Sequence, residues 1–247
     1  LYVNQIGIHT ELLFDGSSRA VNNDGEVVLQ LEEFEEDIEY INFENGRFSI
    51  NDKTLTVGSD NVALLHKALV FGIKDYFNKM GFEKAILGAS GGVDSALVQT
   101  LAVQALGVEN VTAVLMPSRY SSKSSVKDAV ELSKNLGNPY WEIPITDIHN
   151  SYEHTLQPYF KDLPIGLAEE NIQARSRAVL LMALSNKHGN ILLNTSNKSE
   201  MAVGYSTLYG DLCGSISVIG DIYKTQVYAL CEYINASEEI ISNNILT

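Results

Sequence analysis

Cysteine is scarce: Cys213 and Cys231 are the two in 247 residues. They stand apart without metal-ligand spacing, which excludes a disulfide framework and a cysteine-built metal site. That usage suits a reducing, cytoplasmic setting, with both thiols as small buried groups. Long apolar runs are also missing. None approaches the ~20 residues that a bilayer span needs, and no signal-peptide pattern appears, so no membrane partner is expected. Basic residues are few, with Lys and Arg at 17 against 31 Asp and Glu and a formal net charge of -14. Nucleic-acid binders need cations to meet phosphates, so no nucleic-acid partner is expected. There is no internal repeat and no low-complexity tract. The five histidines are scattered, and no Ser/His/Asp or Cys/His grouping for nucleophilic catalysis emerges.

What is present is ordinary globular material, 45% hydrophobic and 19% charged, ample for a core. The chain opens on Leu1 rather than Met, which fits a start inside a longer protein. Its first fifty residues read as β-rich. Asp24-Gly25 between two short apolar runs is a hairpin signal over Ala20–Leu29. The acid run from Glu32 to Glu39 reads as a solvated edge rather than a metal site. Residues 46–60 read as a linker, with Asn45-Gly46 at its start and Asp60 as N-cap of a helix over 61–80.

An alternation of strands and helices follows. Ala85–Leu87, Val111–Met116, Tyr140–Ile145 and Ile191–Thr195 read as strands. Ser95–Leu106, Lys127–Leu136, Glu169–His188 and a segment containing Tyr228–Ile234 read as helices. This pattern predicts an α/β fold with a doubly wound, mostly parallel sheet, preceded by the short β-rich segment. Ligands of such sheets sit beyond the C-terminal strand ends.

The strongest motif lies there. Gly88-Ala89-Ser90-Gly91-Gly92-Val93-Asp94-Ser95 joins a buried strand to a helix. Glycines let backbone N–H groups approach an anion, and the helix start adds partial positive charge. The Gly-Lys-Ser/Thr ending of a Walker loop is absent, as is G-x-G-x-x-G. The S-G-G-x-D-S run resembles the pyrophosphate loop of the ATP pyrophosphatases, which cut ATP into AMP and pyrophosphate.

Three stretches accompany it. Met116-Pro117-Ser118-Arg119-Tyr120-Ser121-Ser122 offers Arg119 and hydroxyls as donors to phosphate. Glu170-Asn171-Ile172-Gln173-Ala174-Arg175-Ser176-Arg177 puts Asn171 and Arg175 on one helix face, and Gln173 and Arg177 on another. Arginine near a helix start needs a specific anion: a phosphate, a carboxylate, or an ordinary ion pair with Glu169 or Glu170. Asn194-Thr195-Ser196-Asn197-Lys198-Ser199-Glu200, with Gly204–Asp211 beyond it, follows a buried strand. Asp94 and Glu200 could together hold Mg²⁺. Lys224, in a turn after Gly220, is placed either to neutralise pyrophosphate or simply on the surface.

Together these motifs resemble the glutamine-dependent NAD⁺ synthetases: L-G-A-S-G-G-V-D-S-A-L, M-P-S-R-Y-S-S, E-N-I-Q-A-R-S-R, N-T-S-N-K-S-E-M-A-V-G-Y-S-T-L-Y-G-D and G-D-I-Y-K-T-Q-V, in order over 62–234. Y-V-N-Q-I-G and E-L-L-F-D-G-S-S-R-A-V resemble the tail of the nitrilase-like glutaminase domain that precedes the synthetase. The resemblance implies residues 1–45 as that tail. Residues 61–247 become an adenine nucleotide alpha hydrolase-like synthetase domain, shortened at its C-terminal end.

The implied activity is a ligase reaction on deamido-NAD⁺, with ATP as co-substrate, Mg²⁺, and ammonia from glutamine. Gly88, Ala89, Ser90, Gly91, Gly92, Val93, Asp94, Ser95, Thr195 and Lys224 would contact ATP. Asp94 and Glu200 would ligate Mg²⁺. Asn171, Arg175, Glu200, Tyr205, Ser206, Thr207 and Leu208 would contact deamido-NAD⁺. Asp94 and Lys224 would act as electrostatic stabilisers, with no covalent nucleophile. A homo-oligomer is also implied. Cys213 and Cys231 do not match the Glu-Lys-Cys glutaminase triad, so this stretch alone should not release ammonia from glutamine. GMP synthetases, tRNA-modifying thiolases and a non-catalytic nucleotide-binding subunit are the competing readings. The thiolases usually carry metal-binding cysteines or a basic surface, and this chain has neither.

Overall fold

The computed structural model describes residues 1–50, 61–161 and 163–247. The expected cap Asp60 and residues 51–60 of the expected linker lie outside the described residues. The chain divides into two compact units, Leu1–Lys79 and Met80–Thr247.

The first unit holds three antiparallel hairpins: β1 (Ile6–His9) with β2 (Leu12–Asp15), β3 (Arg19–Val21) with β4 (Val27–Gln30), and β5 (Asn42–Glu44) with β6 (Arg47–Ser49). The second contains the expected Asp24-Gly25 turn. The third falls at the start of the stretch read as a linker. Asn45 and Gly46 both take positive φ, 52° and 79°, the left-handed pair that a tight hairpin turn requires. Helix α1 (Asn61–Met80) follows. Its Ile73 and Phe77 are buried, and Phe71 meets Phe34 with ring centroids 5.4 Å apart. Asp75 accepts the Ile8 N–H at 2.7 Å, tying a strand end to the helix.

The second unit is the α/β body. Its elements are β7 (Ala85–Gly88), α2 (Val93–Leu106), β8 (Val111–Leu115), α3 (Lys123–Leu136), β9 (Tyr140–Glu142), α4 (Thr146–Phe160), α5 (Leu167–His188), β10 (Ile191–Asn194), α6 (Lys198–Val203), β11 (Ile216–Ser217), α7 (Lys224–Asn235) and α8 (Asn243–Leu246). The five strands form one parallel sheet ordered β11-β10-β7-β8-β9.

Alternation along the strands sends side chains to two layers. Ile86, Val114 and Leu192 face one cluster with Leu180, Leu181 and Leu184 of α5. Ala113 and Leu115 face the other, with Ala129, Val126 and Val130 of α3. Helix α2 is buried almost all round, as a helix packed between a sheet and other helices must be. Its polar members are largely accommodated: Thr100 Oγ1 donates to the Ala96 carbonyl at 2.8 Å, and Gln99 Nε2 donates to Ser133 and Asn138, each at 2.9 Å, while the buried Gln99 Oε1 has no partner among the described residues. Each large apolar side chain fully buried here, such as Leu97 or Leu101, contributes about 1.5–3 kcal/mol.

From β7 the chain winds outward through β8 and β9, then crosses back to β10 on the other side. The reversal falls between β7 and β10, and ligands of doubly wound sheets settle in the crevice at such a point.

Candidate active site

At the reversal, β7 turns through Ala89–Gly92 into α2. Gly91 has φ +81°, and a Cβ there would lie 2.1 Å from the Ser125 carbonyl oxygen. Backbone conformation and backbone crowding therefore both demand glycine. The turn is braced from within: Ser95 Oγ donates to the Gly92 carbonyl at 2.9 Å, and the Ser90 N–H reaches Ser95 Oγ at 3.3 Å. No side chain caps α2, so its first N–H groups face an incoming anion.

A cavity of ≈ 660 Å³ opens on this turn. Gly88, Ala89, Ser90, Asp94, Ser95, Thr195, Glu200 and Tyr205 line it. Of the remaining turn residues, Val93 is buried, and Gly91 and Gly92 form the bend beneath. Asp94 stands at the centre of a polar cluster. Its Oδ2 accepts from Lys224 Nζ, and its Oδ1 accepts from Asn197 Nδ2 at 2.9 Å. The Asn197 N–H in turn donates to Glu200 Oε2 at 3.2 Å. Burial pushes the Glu200 carboxyl above the ordinary glutamate range; Asp94 and Asp211 add to this, while the Asn197 N–H and Lys224 oppose it.

The opposite wall is α5 with the segment after α6. Thr207 Oγ1 donates to Asn171 Oδ1 at 2.9 Å. Arg175 Nε donates to the Leu208 carbonyl at 3.2 Å. Asp211 Oδ1 accepts the Thr207 N–H at 2.7 Å. Thr207 and Leu208 are thus held beside Asn171 and Arg175, and Ser206 is half-buried. Of these residues and Tyr205, only Tyr205 is among the cavity's lining; α5 lines it through Ala174, Arg177, Ala178 and Leu181. Arg177 makes no ion pair with Glu169 or Glu170: its Nε donates to the Met116 carbonyl at 3.1 Å, and burial lowers its pKa.

Arg119 departs from expectation. It pairs with Glu153 and stacks over Tyr120 at 4.8 Å, so in this structure it serves the loop rather than the cavity. The loop hydroxyls are engaged locally too. Ser121 Oγ accepts the Ser118 N–H at 2.9 Å, and Ser122 Oγ accepts the Ser125 N–H at 3.0 Å. Reading the sequence did not assign a role to Asn197 or Asp211. A capping-box pattern, Asn197 with Glu200 three residues on, was legible; the bond to Asp94, 103 positions away, was not.

Among the described residues no group of three or more His, Cys, Asp or Glu could hold a metal. Asp94 and Glu200, two neighbouring carboxylates on a cavity wall, suit Mg²⁺, which takes one or two carboxylates and completes its shell with phosphate oxygens and water.

A glycine turn ahead of a helix start at the switch point of a parallel sheet, faced by carboxylates and a lysine, has the layout of the pyrophosphate-loop class of nucleotide sites. Residues 65–244 match the family model described as NAD synthase, and the chain belongs to that family. A glutamine-dependent NAD(+) synthetase from Synechocystis is 48% identical over 248 residues, covering 100% of this chain and 44% of that protein. The structure of a glutamine-dependent NAD+ synthetase from Acinetobacter baumannii, in complex with adenosine diphosphate, superposes with TM-score 0.93 at 42% identity, over 100% of this chain and 47% of that one. An NH3-dependent NAD synthetase from Campylobacter jejuni, in complex with the nitrate ion, gives TM-score 0.68 at 33% identity, over 76% of this chain and 77% of that one. The chain spans less than half the length of the glutamine-dependent relatives it matches. No helix among the described residues is long and apolar enough to cross a membrane.

Proposed function

We propose that this chain carries the synthetase part of an enzyme that amidates deamido-NAD⁺ to NAD⁺ at the expense of ATP. The observation that carries the reading is the convergence on one cavity of the Ser90–Ser95 turn, Asp94, Thr195 and Glu200, with Lys224 paired to Asp94. The turn and the start of α2 bind the ATP phosphates through backbone N–H groups. Thr195 lies at the adjoining strand end and contacts the same nucleotide. Asn171, Arg175 and the Tyr205–Leu208 segment bind the dinucleotide and aim its nicotinate carboxylate at the α-phosphorus.

A carboxylate oxygen then bonds to that phosphorus while the bond to the bridging oxygen breaks, and pyrophosphate leaves. Lys224 neutralises the departing charge. Ammonia adds to the acyl carbon of the adenylate, AMP departs with the electron pair, and the surplus proton passes to solvent. The site's contribution is positioning and charge neutralisation, with no covalent enzyme intermediate. Asp94 and Glu200 would hold Mg²⁺, which supplies charge neutralisation across the phosphates when bound.

Residues 1–45 are the tail of a nitrilase-like glutaminase domain that supplies the ammonia. In support, the family match begins at residue 65, and the ammonia-dependent relative covers only 76% of this chain. The glutamine-dependent one covers all of it. The working form is a cytoplasmic homo-oligomer. An assay of the intact protein with deamido-NAD⁺, Mg-ATP and either ammonia or glutamine tests the proposal. NAD⁺ and AMP are expected in equal amounts. AMP release that ignores deamido-NAD⁺ would refute it.

A further inference from the structure

We infer that Asn197 is a positioning residue that sets the geometry of Asp94 and Glu200 together. The inference rests on the reading of those two carboxylates as the Mg²⁺ ligands.

Asn197 is 0% exposed and spends its side-chain polar atoms and its own N–H on those two residues. Its Nδ2 donates to Asp94 Oδ1 at 2.9 Å. Its Oδ1 accepts the Glu200 N–H at 3.0 Å. Its own N–H donates to Glu200 Oε2 at 3.2 Å. The orientation of the amide is set by this chemistry. A backbone N–H can only donate, so Oδ1 must face Glu200, which leaves Nδ2 for the carboxylate of Asp94.

As a helix cap alone, asparagine would have no advantage here. Serine and aspartate cap equally well. Neither offers what Asp94 receives, a neutral donor at the reach of an amide. A carboxylate whose one oxygen is held by Asn197 and the other by Lys224 is fixed in plane. Glu200 is fixed from the same residue through the reciprocal cap. Partners of this kind typically change metal affinity 10–100-fold when removed, because they decide how the ligands point.

Two substitutions separate orientation from capping. Asn197→Ser keeps an acceptor for the Glu200 N–H and withdraws the donor from Asp94. Asn197→Asp also keeps the cap, but sets a like charge against Asp94. The readouts are Mn²⁺ binding, followed by the free-ion electron paramagnetic resonance signal in the intact protein with a non-hydrolysable ATP analogue, and the thermal unfolding midpoint. Asn197→Ser is expected to weaken Mn²⁺ binding on the order of tenfold with its midpoint held close to that of the unaltered protein. Asn197→Asp is expected to weaken it further. Wild-type Mn²⁺ affinity in Asn197→Ser, with or without a lowered midpoint, would overturn the inference and leave Asn197 a cap. If Asn197→Ser does not fold, wild-type affinity in Asn197→Asp overturns it equally. Failure of the unaltered protein to bind Mn²⁺ would remove the ligand reading itself, and this inference with it.

Discussion

The cavity has two unlike walls. The floor, β7 and α2 beneath the turn, is closely packed: Ile86, Leu87, Leu97 and Leu101 are all fully buried. The rim, from Gly204 to Tyr209, is the reverse, with Tyr205 80% and Leu208 60% exposed. Besides its two hydrogen bonds to α5, it is held by Asp211 on the Thr207 N–H and by the Glu200 carbonyl on the Tyr205 N–H. On the proposed function, the floor would meet the invariant part of a nucleotide, its phosphates, with backbone, and the rim would meet the variable part, the acid to be activated, with exposed side chains. Substitutions in the floor should therefore cost stability or chemistry, and those in the rim should cost affinity for one substrate.

The largest expected effect tests the floor's chemistry. Asp94→Ala should lower kcat of the intact enzyme by about 10²–10³-fold, in the range of lost electrostatic contacts at a transition state. Steady-state kinetics with saturating ATP and deamido-NAD⁺ would check it, and near-normal turnover would separate Asp94 from the reaction. Next comes Gly91→Ala, which forces a side chain onto the Ser125 backbone at positive φ. A loss of about 2–5 kcal/mol is expected from strain plus crowding, measured by denaturant unfolding; an unchanged midpoint would mean that the turn yields more readily than its packing implies.

At the rim, Arg175→Ala should raise KM for deamido-NAD⁺ by roughly tenfold or more, as loss of a charge-assisted contact does. Stability and the KM for ATP should stay as they were. A fall in stability instead would erase the contrast between the walls. The smallest effect probes the burial behind the floor, where α7 packs on α2. Burial pushes the Cys231 thiol from the ordinary 9.0 up to about 12, so the folded chain holds its proton after the unfolded chain has released it. Stability from this site is fully present below about pH 9 and lost as pH rises toward 12, at roughly 1.4 kcal/mol per pH unit. Comparing urea midpoints at pH 8 and 10 for wild type and Cys231→Ala should show a smaller alkaline loss in the variant.

The two walls also differed in how far the sequence disclosed them. The floor was legible because its logic is local: an apolar strand, glycines at a bend and a helix start lie within twelve residues. Helix α1 and strands β7, β8 and β10 were readable for the same reason, each carrying a clear apolar pattern. Helix α4 was not assigned, since it buries little beyond His149 and carries Pro158 near its end. Strand β11, two residues long, has no pattern to read. The Arg119–Glu153 pair was not legible because Glu153 lies on that unassigned helix. The reading of Tyr205–Leu208 as a substrate contact came from resemblance to a family alone. Their hydrogen bonds to α5, from 33 and 36 positions away, leave no local pattern to read.

The sheet order has a last consequence, for folding. Asp94 finds Asn197 across 103 positions and Lys224 across 130, because the chain completes one half of the sheet before returning to build the other. Contacts of such separation form late and close large loops. The Asp94 cluster is therefore incomplete until both halves of the sheet are in place. On the proposed function, a nucleotide bound there would favour the finished fold by mass action, which would make the substrate itself a late arbiter of whether the body has been assembled.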